Sequence, residues 1–273
     1  MKKTRLYLTG GLGNQLFQLR FAQGLERKGL EVTLDTSALA PRSLELPMEL
    51  INFVVTQRRH SRSRTFQSLA HKNLLPTVIF EDRPNVFHKS IFNLIQLNHF
   101  GYYQSINQDI SFPLQLGNFE EMLFDKHDFA VELSQSLAIH IRGGDFKGSE
   151  IYLNLGVDYY VGNIKRVNLE NSRHIFVFTD DPEYSQSLID EIGLEFDLSR
   201  QKIVFINQEI SPFETLKLLS IAKTRIISNS TFSWWGGILA LNRGRNNTFA
   251  PSTFFREKQM TIPLPSTWDI QIV

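Results

Sequence analysis

The sequence predicts an α/β fold built from parallel βαβ units, and three observations lead there. Short apolar runs of strand character alternate with longer amphipathic stretches of helical spacing. The first run, Leu6-Tyr7-Leu8, passes straight into the turn Thr9-Gly10-Gly11-Leu12-Gly13, where three glycines in four positions suit unusual backbone angles or close approach of a ligand. Later runs end in clusters of charged or hydroxylated residues, at the strand ends where open α/β sheets hold ligands.

Taken in order, residues 4–10 read as a strand and 15–28 as a helix in which Leu16, Leu19, Ala22 and Leu25 share one face. Residues 31–35 read as the next strand. Between 40 and 130 the pattern supports only a helix near 65–75 and a strand at 77–82. From 136 the alternation is clear again. Strands are expected at 136–142, 174–181, 201–207, 224–230 and 247–252, with helices at 158–167, 182–192, 211–223 and 232–242 between them. Ser211, Pro212 and Glu214 form the start signature of one helix, a capping box with proline in the first turn. Ser230 or Thr231 caps the last helix. The renewed pattern after residue 130 divides the chain into 1–130 and 131–273.

Composition narrows the function classes. The chain of 273 residues is 42% hydrophobic, enough to bury a sizeable core, and its net charge of +1 does not suit a nucleic-acid protein. The basic run at 57–64, with Arg58, Arg59, Arg62 and Arg64, reads as a solvated loop. Its sharper reading is a contact for an anionic acceptor or a membrane surface. With no cysteine, disulfides, thiolate metal sites and a cysteine nucleophile are excluded, which fits a reducing cytoplasm. The start of the chain is too short in apolar residues for a signal peptide, and residues 231–241 fall well below the roughly 20 that a membrane span needs. A soluble protein is expected.

Four stretches carry candidate chemistry. Gly11, Gly13, Asn14 and Gln15 follow the first strand. The third glycine of a dinucleotide loop is absent and Asp35 lies about 20 residues on, so a plain tight turn and a binding loop are equally served. His140, Arg142 and Asp145 close a buried-looking strand. Arg142 could fork onto a diphosphate, or pair with Asp145 and shape the turn. Asp180 and Asp181 could hold Mg²⁺ or accept from a ribose or base, and Asp181 is the better placed to cap the helix that Pro182 opens. Asn229, Ser230 and Thr231 bring hydroxyls and backbone N–H groups to a helix start. Phe232, Trp234 and Trp235 could stack on a sugar or base or fill the core, and for the two tryptophans the core is the stronger reading.

Together these stretches resemble the motif set of glycosyltransferase family 11, the α-1,2-fucosyltransferases. The resemblance rests on residues 9–18 (TGGLGNQLFQ), 42–53 (RSLELPMELINF), 101–105 (GYYQS), 140–146 (HIRGGDF), 176–184 (FVFTDDPEY) and 226–240 (IISNSTFSWWGGILA), which span nearly the whole chain. It implies a GT-B-like scaffold of two facing Rossmann-like domains, 1–130 on the acceptor side and 131–273 binding GDP-fucose. It implies inverting transfer of L-fucose to the 2-hydroxyl of a terminal galactose. Arg142 would bind the diphosphate, with His140 and Asp145 shaping its loop. Asn229, Ser230, Thr231 and Phe232 would close from the next strand end, and Asp180 would reach the ribose or guanine. Gly11, Gly13, Asn14 and Gln15 would face the fucose and diphosphate across the cleft.

The family pattern His-x-Arg-Arg-Gly-Asp is broken here by Gly143. A cation beside the leaving group is replaced by a backbone N–H, so weaker donor use or a compensating Arg or Lys is expected. Fucosyl transfer develops negative charge on the departing diphosphate, which Arg142 and loop N–H groups can stabilise, so no cofactor and no metal requirement are expected. Arg142 and Asp145 are the catalytic candidates, Asp145 as one option for the proton of the acceptor hydroxyl. The expected partners are GDP-fucose and a galactose-terminated oligosaccharide or lipid-linked glycan, with no nucleic acid. The expected location is the cytoplasm, with peripheral contact at the inner membrane as an option. Two other readings stay open: a different GDP-fucose-dependent linkage, and a non-catalytic nucleotide- or glycan-binding relative.

Overall fold

A computed structural model describes residues 2–39, 44–57, 78–80, 97–104, 119–169, 172–256 and 262–273. The basic run from 58 onward and the helix expected near 65–75 lie outside them. The chain divides into two compact units, Met1–Ile106 and Asn107–Val273.

In the first unit, strand β1 (Lys2–Tyr7) leads through the glycine turn into helix α1 (Leu12–Arg27), and β2 (Leu30–Asp35) returns parallel to β1. Strands β3 (Val54–Thr56), β4 (Val78–Phe80) and β5 (Leu97–Phe100) complete a parallel sheet of order β3-β2-β1-β5-β4. Leu6, Leu8, Leu16, Leu19, Ala22 and Leu34 are buried in its core. Helix α1 begins three residues earlier than its apolar spacing suggests, at Leu12, because Gly11 supplies the extended N-cap.

The second unit opens with two short helices, α2 (Glu120–Lys126) and α3 (Ala130–Leu133). It continues through β6 (Leu137–Ile141), α4 (Val157–Ile164), β7 (His174–Thr179), α5 (Pro182–Glu195) and β8 (Lys202–Phe205). Helix α6 (Pro212–Ile221), β9 (Thr224–Ile226), α7 (Thr231–Leu241), β10 (Thr248–Pro251) and β11 (Asp269–Gln271) follow. All pairs are parallel and the order is β8-β7-β6-β9-β10-β11. Counted from the first strand of the unit, this is the doubly wound order 3-2-1-4-5-6, with its switch point between β6 and β9.

Both faces of this sheet are covered, so its strands are apolar throughout rather than alternating with polar residues. Leu137, Ile139, Ile141, Ile175 and Val177 pack on one side with Tyr159, Tyr160, Leu188 and Ile192 of α4 and α5. Ala138, Phe176 and Phe178 pack on the other with Leu123, Leu133, Leu218 and Leu219 of α2, α3 and α6. That second layer moves the domain boundary. The sequence division at 130/131 would cut through it, whereas Phe119, Leu123 and Ala130 belong to this core and the units part at Ile106.

Arg225 on β9 is fully buried, with no carboxylate partner among the described residues. Its guanidinium donates to Thr248 Oγ1 and to the carbonyls of Ser220, Ala222, Arg245 and Asn247, which tie β9 to α6 and β10. Burial, with Arg245 nearby, lowers its pKa to about 9, so it remains charged at neutral pH.

Candidate functional site

In the second unit the expected residues gather at the carboxyl ends of β6, β7 and β9, on both sides of the switch point. Arg142 follows β6 directly. Its Nη1 lies 2.9 Å from Asp180 Oδ2 at the end of β7, and its guanidinium sits 5.2 Å from the centre of the Phe146 ring. This is a cross-strand pair, joining the ends of β6 and β7. The Asp145 side chain lies outside the described residues.

The two aspartates grip the glycine loop. Asp180 Oδ1 accepts from Gly143 N at 3.0 Å, and Asp181 Oδ2 accepts from Gly144 N at 3.3 Å. Asp181 Oδ1 caps α5 by accepting from Tyr184 N, as its position before Pro182 predicts. Lys147 Nζ lies 2.5 Å from Asp181 Oδ2 and over the Tyr184 ring. The Lys147 hydrogen bond, then the Tyr184 N–H, hold the Asp181 carboxyl below the usual carboxylate range. Asp180 therefore orients Arg142 and the loop.

The glycines follow from this grip. A Cβ on Gly144, at φ +33°, would run into Asp180 Oδ2. One on Gly143 would stand 2.6 Å from Asp181 Cβ and 3.0 Å from Tyr184 Cδ1. Lys147 brings a cation to the same loop four residues after the position where the family pattern has its second arginine.

His140 is buried, with Nδ1 2.7 Å from Ser228 Oγ and its ring stacked on Phe232 at 5.6 Å. Burial, then the Arg142 charge, drives its pKa down to about 3, so the imidazole is neutral. Phe232 and Thr231 open α7 and remain partly exposed. Ser230 is the cap, its Oγ accepting from Phe232 N at 3.3 Å. Asn229 turns inward and donates to the carbonyls of Leu153 and Phe254, so it fastens the loop rather than facing the crevice. Trp234 and Trp235 are core residues, each 1% exposed.

Ser228, Tyr159 and Tyr160 are among the residues of this site that were not singled out from the sequence. Ser228 holds His140. Tyr159 and Tyr160 on α4 donate to the carbonyls of Ile227 and His140, pinning β9 and β6 from below. Burial raises both phenol pKa values. Adjacent tyrosines in a helix expected to pack on the sheet, each needing a partner for its hydroxyl, were the available signal.

The N-terminal stretch forms the turn after β1 and the first turn of α1. Gly13 and Gln15 lie inside α1 and are buried. Gln15 Nε2 donates to Gly10 O, and its Oε1 accepts from Glu45 N. Glu45 Oε2 in turn accepts from Leu12 N at 2.7 Å. A carboxylate from this same chain therefore occupies the helix start where a phosphate would otherwise bind. Asn14, partly exposed, accepts from Gln104 Nε2 at 2.8 Å. Asp35 is spent on Ser37 and Arg5.

A cavity of about 330 Å³, lined by Leu137, Arg166, Lys223, Thr224 and Phe249 among others, lies at the opposite, amino ends of β6, β9 and β10. Among the described residues no helix is long and apolar enough to cross a membrane.

What the second-unit arrangement can do is hold an anion. A guanidinium, fixed from behind by Asp180, stands at the end of β6, and the start of α7 offers its dipole beside it at the end of β9.

Comparison with known proteins agrees. Residues 51–262 match the family described as Glycosyl transferase family 11. The Alpha-1,2-colitosyltransferase of Escherichia coli is 31% identical over 145 residues, covering 50% of this chain and 48% of that protein, so the match spans about half the relative's length. The O-antigen biosynthesis glycosyltransferase WbnK of Escherichia coli is 26% identical over 278 residues, 85% of this chain and 88% of that one. Among solved structures, the glycosyl transferase family 9 protein of Veillonella parvula DSM 2008 superposes with a TM-score of 0.54 at 10% identity, covering 100% of this chain and 86% of that chain. That likeness shows the fold, a GT-B-like pair of Rossmann-type units.

Proposed function

The chain belongs to glycosyl transferase family 11, and from that premise we propose that it transfers L-fucose from GDP-fucose, with inversion, to the 2-hydroxyl of a terminal galactose. The observation that carries this reading is the Arg142 guanidinium at the carboxyl end of β6, next to the start of α7. Breaking the fucose C1–O bond passes through an oxocarbenium-like state and leaves charge on the diphosphate. A cation and a helix dipole already in place stabilise that charge with no reorganisation.

Arg142 is the catalytic residue of this proposal. Asp180 and His140 are positioning residues, the first holding the guanidinium and the second packing beneath Phe232. The start of α7, at Ser230, Thr231 and Phe232, supplies the second side of the diphosphate site. Transfer is expected to persist in EDTA, because these groups supply the needed charge themselves. The acceptor is a galactose-terminated oligosaccharide or lipid-linked glycan.

A second reading, α-1,2 transfer of colitose instead of fucose, is favoured by the name of one relative. One experiment separates the readings. The purified protein is mixed with GDP-fucose and a panel of β-galactosides in EDTA, and GDP release and product linkage are followed by NMR. Fucose on O2 of galactose is the expected product. GDP binding without any turnover of GDP-fucose would overturn the reading. It would turn the search to a colitose donor or a non-catalytic role.

A further inference from the structure

The stretch Gly101-Tyr102-Tyr103-Gln104 leaves β5 at its carboxyl end, and β5 lies beside β1 in the first sheet. Strand order reverses between these two strands. The crevice outside their ends, between the Gly10–Gly11 turn and residues 101–104, is the switch point of the first unit.

Two uncommon backbone conformations bracket Tyr102. Gly101 has φ +152°, and Tyr103 has φ +57°, the only positive value at a non-glycine among the described residues. A bulky residue adopts that conformation only when its surroundings impose it, and such strain gathers at functional sites. Here the surroundings are explicit. The Tyr103 ring stacks on Phe21 at 3.8 Å with 4° between planes. Gln18 Nε2 donates to Gly101 O at 2.7 Å, and Gln104 Nε2 donates to Asn14 Oδ1. The result is that Tyr103 is buried while its neighbour Tyr102, on the segment that leaves β5 at its carboxyl end, stays 39% exposed.

The chemistry around Tyr102 selects the ligand. The anion position at the start of α1 is filled by Glu45, whose carboxylate would repel a diphosphate. The amides of Asn14 and Gln104, bonded to each other, lie at the same strand ends. A carboxylate, amides and an exposed phenol ring suit a neutral polyhydroxy compound, whose C–H face packs on an aromatic ring while its hydroxyls find acceptors and donors at the edge. We propose that Tyr102 is the platform on which a pyranose ring of the acceptor glycan stacks. This rests on the glycosyl-transfer reading above and adds to it the residue that receives the acceptor.

The test uses the full chain with Tyr102→Ala and Tyr102→Phe, lactose as the acceptor, and GDP affinity measured by calorimetry. Tyr102→Ala is expected to raise the lactose KM about tenfold or more, and Tyr102→Phe to stay within about twofold of the parent, with GDP affinity and Tm unchanged in both. An unchanged lactose KM in Tyr102→Ala, or an equal loss of GDP affinity, overturns the proposal. If the parent makes no fucosylated lactose, the transfer reading fails, and lactose binding is then read by saturation-transfer NMR. A signal that is lost in Tyr102→Ala and kept in Tyr102→Phe upholds the platform. Equal signals in all forms, or no signal from the parent, overturn it.

Discussion

Gly143 shows how closely a single position can be determined by groups far away in sequence. Its absent Cβ leaves the space that Asp181 Cβ and Tyr184 Cδ1 fill. Gly143→Arg, the change that would restore the family pattern, is therefore expected to lower stability by about 1–3 kcal/mol, the usual cost of overpacking, and to give no gain in GDP-fucose turnover. A thermal melt and an initial-rate assay check both, and a faster, equally stable variant would sink the account. His140 yields a pH prediction. Its folded pKa of about 3 lies below the ordinary 6.5, so between these values the unfolded chain binds a proton that the folded chain refuses. Its contribution to stability is complete above pH 6.5 and drains away as pH falls, by about 1.4 kcal/mol per unit. In His140→Gln, Tm should depend less on pH between 5 and 6.5 than in the parent. The depressed carboxyls of Asp181 and Glu214 act in the same direction, at lower pH. Arg142 and the Asp181 cap were legible in the sequence because a strand end and a helix start are local signals. Ser228 and Glu45 were not, since they are defined by partners 88 and 33 residues away.

At the scale of elements, the starts of helices decide much of the behaviour. Ser211 caps α6 as predicted, its Oγ accepting from Glu214 N, but the other half of the expected capping box is missing. The Glu214 carboxylate reaches Lys126 and His127 at the C-terminal end of α2 instead. Helix α1 has no side-chain cap from Gly11 and relies on Glu45. Glu45→Ala should cost about 1 kcal/mol in the first unit and speed amide exchange over the first turn of α1, with Glu45→Gln in between. Unchanged exchange in both variants would show that water serves the helix start equally well. The elements missed in the sequence are the short ones. Strands β3 and β11 have three residues each, and Val54 is 63% exposed, so no apolar period could accumulate. Helices α2 and α3 are placed by packing on β7 rather than by any long amphipathic pattern of their own. The long second-unit helices and strands, buried on both faces, announced themselves as alternating apolar runs.

On the scale of the whole molecule, the chain uses one architecture twice. Each unit is a parallel sheet with its own switch point, and each has a helix starting beside it: α1 after β1, and α7 after β9. The α/β class was readable from the alternation of strands and helices, and the GT-B-like scaffold only through the resemblance of the motif set to a known family. The boundary was not, because whether residues 119–133 join one core or the other depends on where their apolar faces land. With the Glu45 carboxylate at the start of α1, one GDP per chain is the expected stoichiometry. Two nucleotide-type units would ordinarily suggest two nucleotides per chain, but one of the two seats already carries an anion of the chain's own making. A calorimetric titration with GDP should saturate at one equivalent, and the guest should raise Tm with rising concentration as a single-site ligand does. Two equivalents would mean that the internal carboxylate yields its place to an outside one.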